Sequence, residues 1–186
     1  MTAGRVASLR EGLRAATRDA HDSLDAGVSG ADLARPAEYA AFLQAQLAAR
    51  LPVERWLATH CDADLRPPAT VPLLLDDLHA LGRPFSLAPA RFDPPADADP
   101  LGAAWSIAGS SLGNRAMLAH MRKAGAADLP TAFLSDAAMT TFWTSLRPLL
   151  DRPARPGELA RASAAARAVF ACFTNAFSLA PQRIAA

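Results

Sequence analysis

The stretch Leu9-Arg10-Glu11-Gly12-Leu13-Arg14-Ala15-Ala16-Thr17-Arg18-Asp19-Ala20-His21 reads as one amphipathic helix. Ahead of it, Ser8 and Glu11 have the spacing of a capping box, in which hydroxyl and carboxylate satisfy the first free backbone N–H groups. At about 100° per residue, Val6, Leu13, Ala20 and Leu24 form an apolar strip, and Arg10, Arg14, Thr17 and His21 lie beside it within about 60° of one another. His21 therefore stands at the rim of a buried face with two cations upstream. The pattern predicts a helix over residues 8–25, broken by Gly27 and Gly30.

The rest of the chain repeats this grammar. Alanine, leucine and arginine dominate, β-branched residues are sparse, and no segment alternates apolar and polar residues between hairpin turns, so the fold class is all-α. Pro36 suits the first turn of a second helix carrying Tyr39, Phe42, Leu43, Leu47 and Leu51, which Pro52 is expected to kink or interrupt. A third helix fits residues 72–81. The proline-rich residues 82–100 read as a connector whose flanks share one core. Pro100 opens a long helix reaching about Lys123, with Gly125 as its C-cap. Pro130 is expected to open the next helix, which carries Phe133, Phe142, Trp143 and Leu146 and fails near Pro148. After the turn at Pro153 and Pro156, the last helix presents Leu159, Ala162, Ala166, Phe170, Phe173 and Phe177 at core spacing. With 186 residues and 51% hydrophobic content, one domain over residues 1–186 is expected.

Composition removes several function classes. The formal charge is +1 with its cations spread along the chain, which is no electrostatic footprint for nucleic acid. No run reaches about 18 apolar residues, and the charged, amphipathic start lacks a signal-peptide core. A cytoplasmic protein without a membrane partner is the expectation. Cys61 and Cys172 stand far apart and read as buried or incidental thiols. His60 and His79 are too isolated for a zinc site, His120 reads as a helix-end or rim histidine, and no Glu-x-x-His pair suggests a di-iron bundle. Phosphate loops and nucleophile elbows are absent from the sequence.

Two features invite a ligand and also have plainer explanations. On the helix from Pro100, Gly102, Ser106, Gly109 and Gly113 fall within about 60°, flanked by Trp105 and Ala116 on one side and by Ser110 and Met117 on the other. Each mid-helix glycine costs roughly 0.5–1 kcal/mol relative to alanine. Close packing of another helix offsets that cost, and so does a flat ligand lying on the backbone. His21 is either a satisfied rim residue or a nitrogen ligand for a metal. Arg10 and Arg14 either solvate the helix edge or pair with acid groups, Arg14 lying about 10 Å from His21 along the axis. Arg147 divides likewise between capping a helix C-terminus and binding an anion.

The order Leu9-Arg10 followed by Thr17-Arg18-Asp19-Ala20-His21 resembles the first helix of the haem oxygenase family. The run Trp105-Ser106-Ile107-Ala108-Gly109-Ser110-Ser111-Leu112-Gly113-Asn114-Arg115 resembles the bacterial family's distal helix, an aromatic residue, three residues, then Gly-Ser-x-Leu-Gly. The resemblance implies a haem oxygenase-like helical fold with haem between these two helices. His21 is then the axial ligand of the haem iron. Arg10, Arg14, Thr17 and Arg147 join it in holding haem, the arginines on the propionates. Gly109, Ser110 and Gly113 form the distal side, with proton delivery falling to Ser110, Asn114, backbone groups or water. Haem is substrate as well as cofactor, O2 is consumed, and a redox partner serves as external electron donor; the products are biliverdin, carbon monoxide and iron. Two other expectations stand beside it: a non-catalytic haem carrier or sensor of the same fold, and a helical partner-binding domain without haem.

Overall fold

The computed structural model describes residues 7–28 and 30–180, so Val6 lies outside the described residues. Six α-helices follow in order: α1 (Leu9–Val28), α2 (Pro36–His60), α3 (Val71–Ala80), α4 (Pro100–Lys123), α5 (Ala138–Leu150) and α6 (Glu158–Leu179). Among the described residues there is no β-strand, and the class is all-α. The ends follow the expected chemistry. Ser8 Oγ accepts from Glu11 N at 3.2 Å while Glu11 Oε2 accepts from Ser8 N at 2.8 Å, which is the reciprocal capping box. Asp99 caps α4 through Leu101 N, and Gly125, at φ +83°, takes the left-handed turn that ends it.

α6 is the element against which α1, α2 and α4 all pack. Contacts along it set the directions. Gly12 faces Leu159 and His21 faces Phe170, so α1 runs with α6. Gly102 meets Ala162 and Asp99 N donates to Arg161 O, so α4 begins beside the start of α6. α2 runs the other way: Cys172 donates to Ala49 O, and Phe42 lies against Phe177. Its middle is buried nearly all round, from Phe42 to Arg50. A second group of buried side chains, with Tyr39, Leu43, Leu74, Met121 and Phe133, is joined to the first by Phe85 and Phe177, which pack against both. Cys61 and Cys172 are both buried free thiols, pushed up to about 11 by burial.

Two proline readings need correction. Pro52 does not interrupt α2. The carbonyl it deprives of a partner, four residues back at Ala48, accepts instead from Ala90 N of the connector at 2.9 Å. Pro130 does not open a helix. The Asp77 carboxylate takes Ala132 N at 2.8 Å and Phe133 N at 3.0 Å, holding residues 130–135 as a turn over buried Phe133 and Leu134. α5 begins only where Asp136 accepts from Ala138 N and Met139 N. Pro148 sits in the last turn of α5, which ends two residues later at Leu150 as expected, and the carbonyl it frees belongs to exposed Thr144.

The connector is stitched to α2 by side chains as well. Gln44 donates to Pro84 O at 2.7 Å and accepts from Ser86 N at 3.0 Å. At the other end of the bundle, buried Glu158 takes both arms of Arg152 and the N–H of Arg155. Those donors hold its carboxyl at about 2, well below the ordinary 4.5.

Two outcomes follow from these contacts. A Cβ on Gly102 would stand 1.8 Å from Ala162 O, so Gly102→Ala is expected to destabilise the fold by about 3 kcal/mol or more in chemical denaturation. Since the Glu158 pKa is depressed on folding, its stabilisation is complete above about pH 4.5 and is lost as pH falls toward about 2. Glu158→Gln should remove about 2–3 kcal/mol at neutral pH and flatten the acid limb of the stability curve.

Candidate functional site

His21 is carried on the second half of α1, one side of its ring against Phe170 with centroids 5.9 Å apart and planes at 63°. The side chain remains 56% exposed, and its Nδ1 lies 3.2 Å from Asp25 Oδ2 and 3.7 Å from Asp22 Oδ1. Asp25 is one helical turn onward, so the backbone itself presents this carboxylate to the ring. The arrangement is that of a rim histidine beside an i+4 carboxylate on an exposed helix edge.

The other α1 residues divide. Arg14 is exposed and makes no ion pair among the described residues. Arg10 Nε lies 2.9 Å from Asp151 Oδ1, an ion pair by distance although the N–H is not aimed at the oxygen. Arg147 Nη2 approaches the other oxygen of Asp151 at 3.5 Å. Two arginines from separate helices thus share one half-exposed carboxylate. Thr17 is buried, and its hydroxyl donates to Leu13 O of its own helix at 2.9 Å.

The glycine strip of α4 also divides. Gly102 is a packing glycine, which the Ala162 contact settles. Gly109 is not: a Cβ there would meet only the Trp143 ring, at 3.7 Å. At Gly113 a Cβ would meet nothing within 4 Å, and Leu112 beside it is 52% exposed. The strip therefore begins against α6 and ends in the open. Trp105, on its flank, has a buried indole N–H without an acceptor among the described residues.

Sequence reasoning missed Arg50. It lies on α2, 1% exposed, and donates to Gln46 Oε1 at 3.1 Å, Thr70 Oγ1 at 3.1 Å and Ser110 Oγ at 2.7 Å. Phe133 and Phe173 lie at 4.9 and 5.8 Å from its guanidinium carbon. Burial pulls it down to about 10, so it is charged at neutral pH. A signal was available: between Glu38 and Glu54 it is the only charged residue in the sequence. Ser110 is engaged twice, since it also donates to Ile107 O at 2.7 Å.

α1 and α4 each pack along α6 rather than along one another. His21 touches Phe170 of α6, and Arg50, which donates to Ser110, has its guanidinium carbon 5.8 Å from the Phe173 ring of the same helix. Two surface cavities lie elsewhere, one of about 540 Å³ beside α3 at Leu75, His79 and Phe85, the other of about 450 Å³ where Ala16 meets Leu159 and Ser163. No group of three or more His, Cys, Asp or Glu suited to a metal ion occurs among the described residues, and none of their helices is long and apolar enough to cross a membrane. Compared with protein-family models, curated proteins and solved structures, the chain matches none.

With no neighbour to fill the space at Gly113, the packing explanation fails there and the helix-propensity cost stays uncompensated. Gly113→Ala should stabilise the ligand-free protein by about 0.5–1 kcal/mol in thermal or chemical denaturation. If the strip serves a flat ligand, the same substitution should weaken haemin binding in a spectral titration.

Proposed function

We propose that this protein is a haem oxygenase, taking haem between α1 and α4 and cleaving it to biliverdin, carbon monoxide and iron. The observation that carries the reading is His21: a half-exposed imidazole with Nδ1 3.2 Å from Asp25 Oδ2, so that Nε2 would be the nitrogen offered to iron. The residues present fit the porphyrin. Gly113 offers bare backbone, and a Cβ at Gly109 would meet only the Trp143 ring.

Bound haem supplies the iron at which O2 and electrons from an external donor react, and it is consumed as substrate. The protein's own part is binding and orientation. Arg14 is free to take a propionate, and Arg10 and Arg147 are positioned to do so by exchanging Asp151 for it. Such pairing would orient the bound ring through its acid groups. Gly109 and Gly113 would let the ring lie against bare α4 backbone. Thr17 contributes through packing, its hydroxyl being spent within α1.

One observation favours a second reading, a haem holder without turnover. The Ser110 hydroxyl already accepts from Arg50 and donates to Ile107, so proton delivery would rest on Asn114, backbone groups or water. Aerobic turnover with a chemical reductant separates the two, since a holder gives a ferrous complex and no biliverdin.

His21→Ala is expected to abolish the His21-dependent Soret band and biliverdin formation while changing stability by less than about 0.5 kcal/mol, as for an exposed side chain. Unchanged biliverdin yield in that variant would overturn the axial role.

A further inference from the structure

Arg50 is the side chain the proposed function does not use and packing alone does not explain. A guanidinium 1% exposed carries a desolvation penalty of several kcal/mol, which a carboxylate partner ordinarily offsets. Among the described residues no carboxylate lies within ion-pair distance of it. Its three hydrogen-bond acceptors, Gln46, Thr70 and Ser110, are all neutral. Two acids act on it from beyond contact: Glu54, which accepts from Thr70 Oγ1 at 2.7 Å, and Asp136. A leucine or methionine would fill a core position more cheaply.

What the arginine does uniquely is reach across the bundle. It joins α2, the residue before α3, the turn around Phe133, α6 and, through Ser110, the flank of the glycine strip. That reach matters most at residues 109–113. The open side of this turn has no side chain at Gly113 and only the Trp143 edge at Gly109, so neighbours on that side cannot hold it. Its buried side is packed through Ala108, Ser111 and Asn114, and its flank is tied by the 2.7 Å bond from Arg50 Nη2 to Ser110 Oγ. The bond also keeps a full positive charge beside the strip, in an interior where charges act over longer range than in water.

We infer that Arg50 is a positioning residue of the ligand site: through Ser110 it fixes the glycine-bearing turn of α4, and its charge makes the haem complex favour anionic over neutral small ligands. The inference rests on the haem-binding reading for its second half only. The first half concerns the ligand-free protein.

Two measurements test it, on the wild-type chain, Arg50→Met, Arg50→Lys and Ser110→Ala. In hydrogen exchange of the ligand-free protein, Arg50→Met and Ser110→Ala should each speed exchange at residues 109–115 relative to α1. In the haemin complex, azide and imidazole titrations separate charge from fit. Arg50→Met should lower azide affinity about tenfold, the size of one unit charge at several ångströms in a partly screened interior. Imidazole affinity should stay within twofold. Arg50→Lys, which keeps the charge, should recover most of the azide affinity, and Ser110→Ala should move both ligands alike.

If Arg50→Met does not fold, Arg50→Lys and Ser110→Ala carry the comparison. Azide and imidazole falling together in the Arg50 variants, or unchanged exchange at residues 109–115, overturns the inference. Failure of the wild-type chain to bind haemin at all sinks the haem reading and the anion preference with it, and exchange alone then decides the positioning role.

Discussion

The approach of α4 to α6 at Gly102 governs the arrangement of the other helices. The carbonyl of Ala162 occupies the place where any side chain at position 102 would begin, so the two helix backbones touch. Asp99, which caps α4 through its side chain, also donates its N–H to Arg161 O, so the start of α4 is held against the backbone of α6. From that fixed end α4 departs along α6, and its glycines become progressively less covered: none of the space at 102, one ring edge at 109, open surface at 113. The same residue type serves packing at one end of the strip and leaves a bare surface at the other.

Much of this was legible in the sequence where the deciding physics is local. The Ser8 and Glu11 box, Pro36, Pro100 and Gly125 act within one turn of backbone, and each marks the boundary it predicts. Pro52 and Pro130 were misread because their outcome depends on distant groups. The donor that compensates Pro52 comes from Ala90, and the acceptor that holds residues 130–135 in a turn comes from Asp77 on α3. Neither partner has a signature near the proline. Local rules give the cost of a residue, and tertiary contacts decide whether that cost is met.

The candidate site shows the same division. The spacing of Arg10, Arg14 and His21 correctly places them on one helix, and the exposure of Arg14 and His21 follows from their position at the rim. The sequence could not reveal that Asp151 bridges Arg10 and Arg147, because that acid lies at the end of α5 and only folding brings it to α1. Nor did helical periodicity mark Arg50, since α2 is buried on nearly all sides and has no polar face on which a charge would be expected. A lone cation inside an apolar run was the available clue. Its meaning depended on Ser110, sixty residues away.

The acceptor left over at Ala48 gives the connector a metrical role. Because Pro52 offers no N–H, the chain must deliver Ala90 to that carbonyl, with Gln44 gripping Pro84 and Ser86 on the way. Residues 84–90 are therefore a measured strap and not an elastic tether: adding or deleting one residue there would slide the Ala90 amide off its mark and strand a carbonyl in the middle of the bundle. Changes of length between homologous chains belong elsewhere, for example at residues 93–97, beyond that anchor, where four of the five positions are solvent-facing or nearly so.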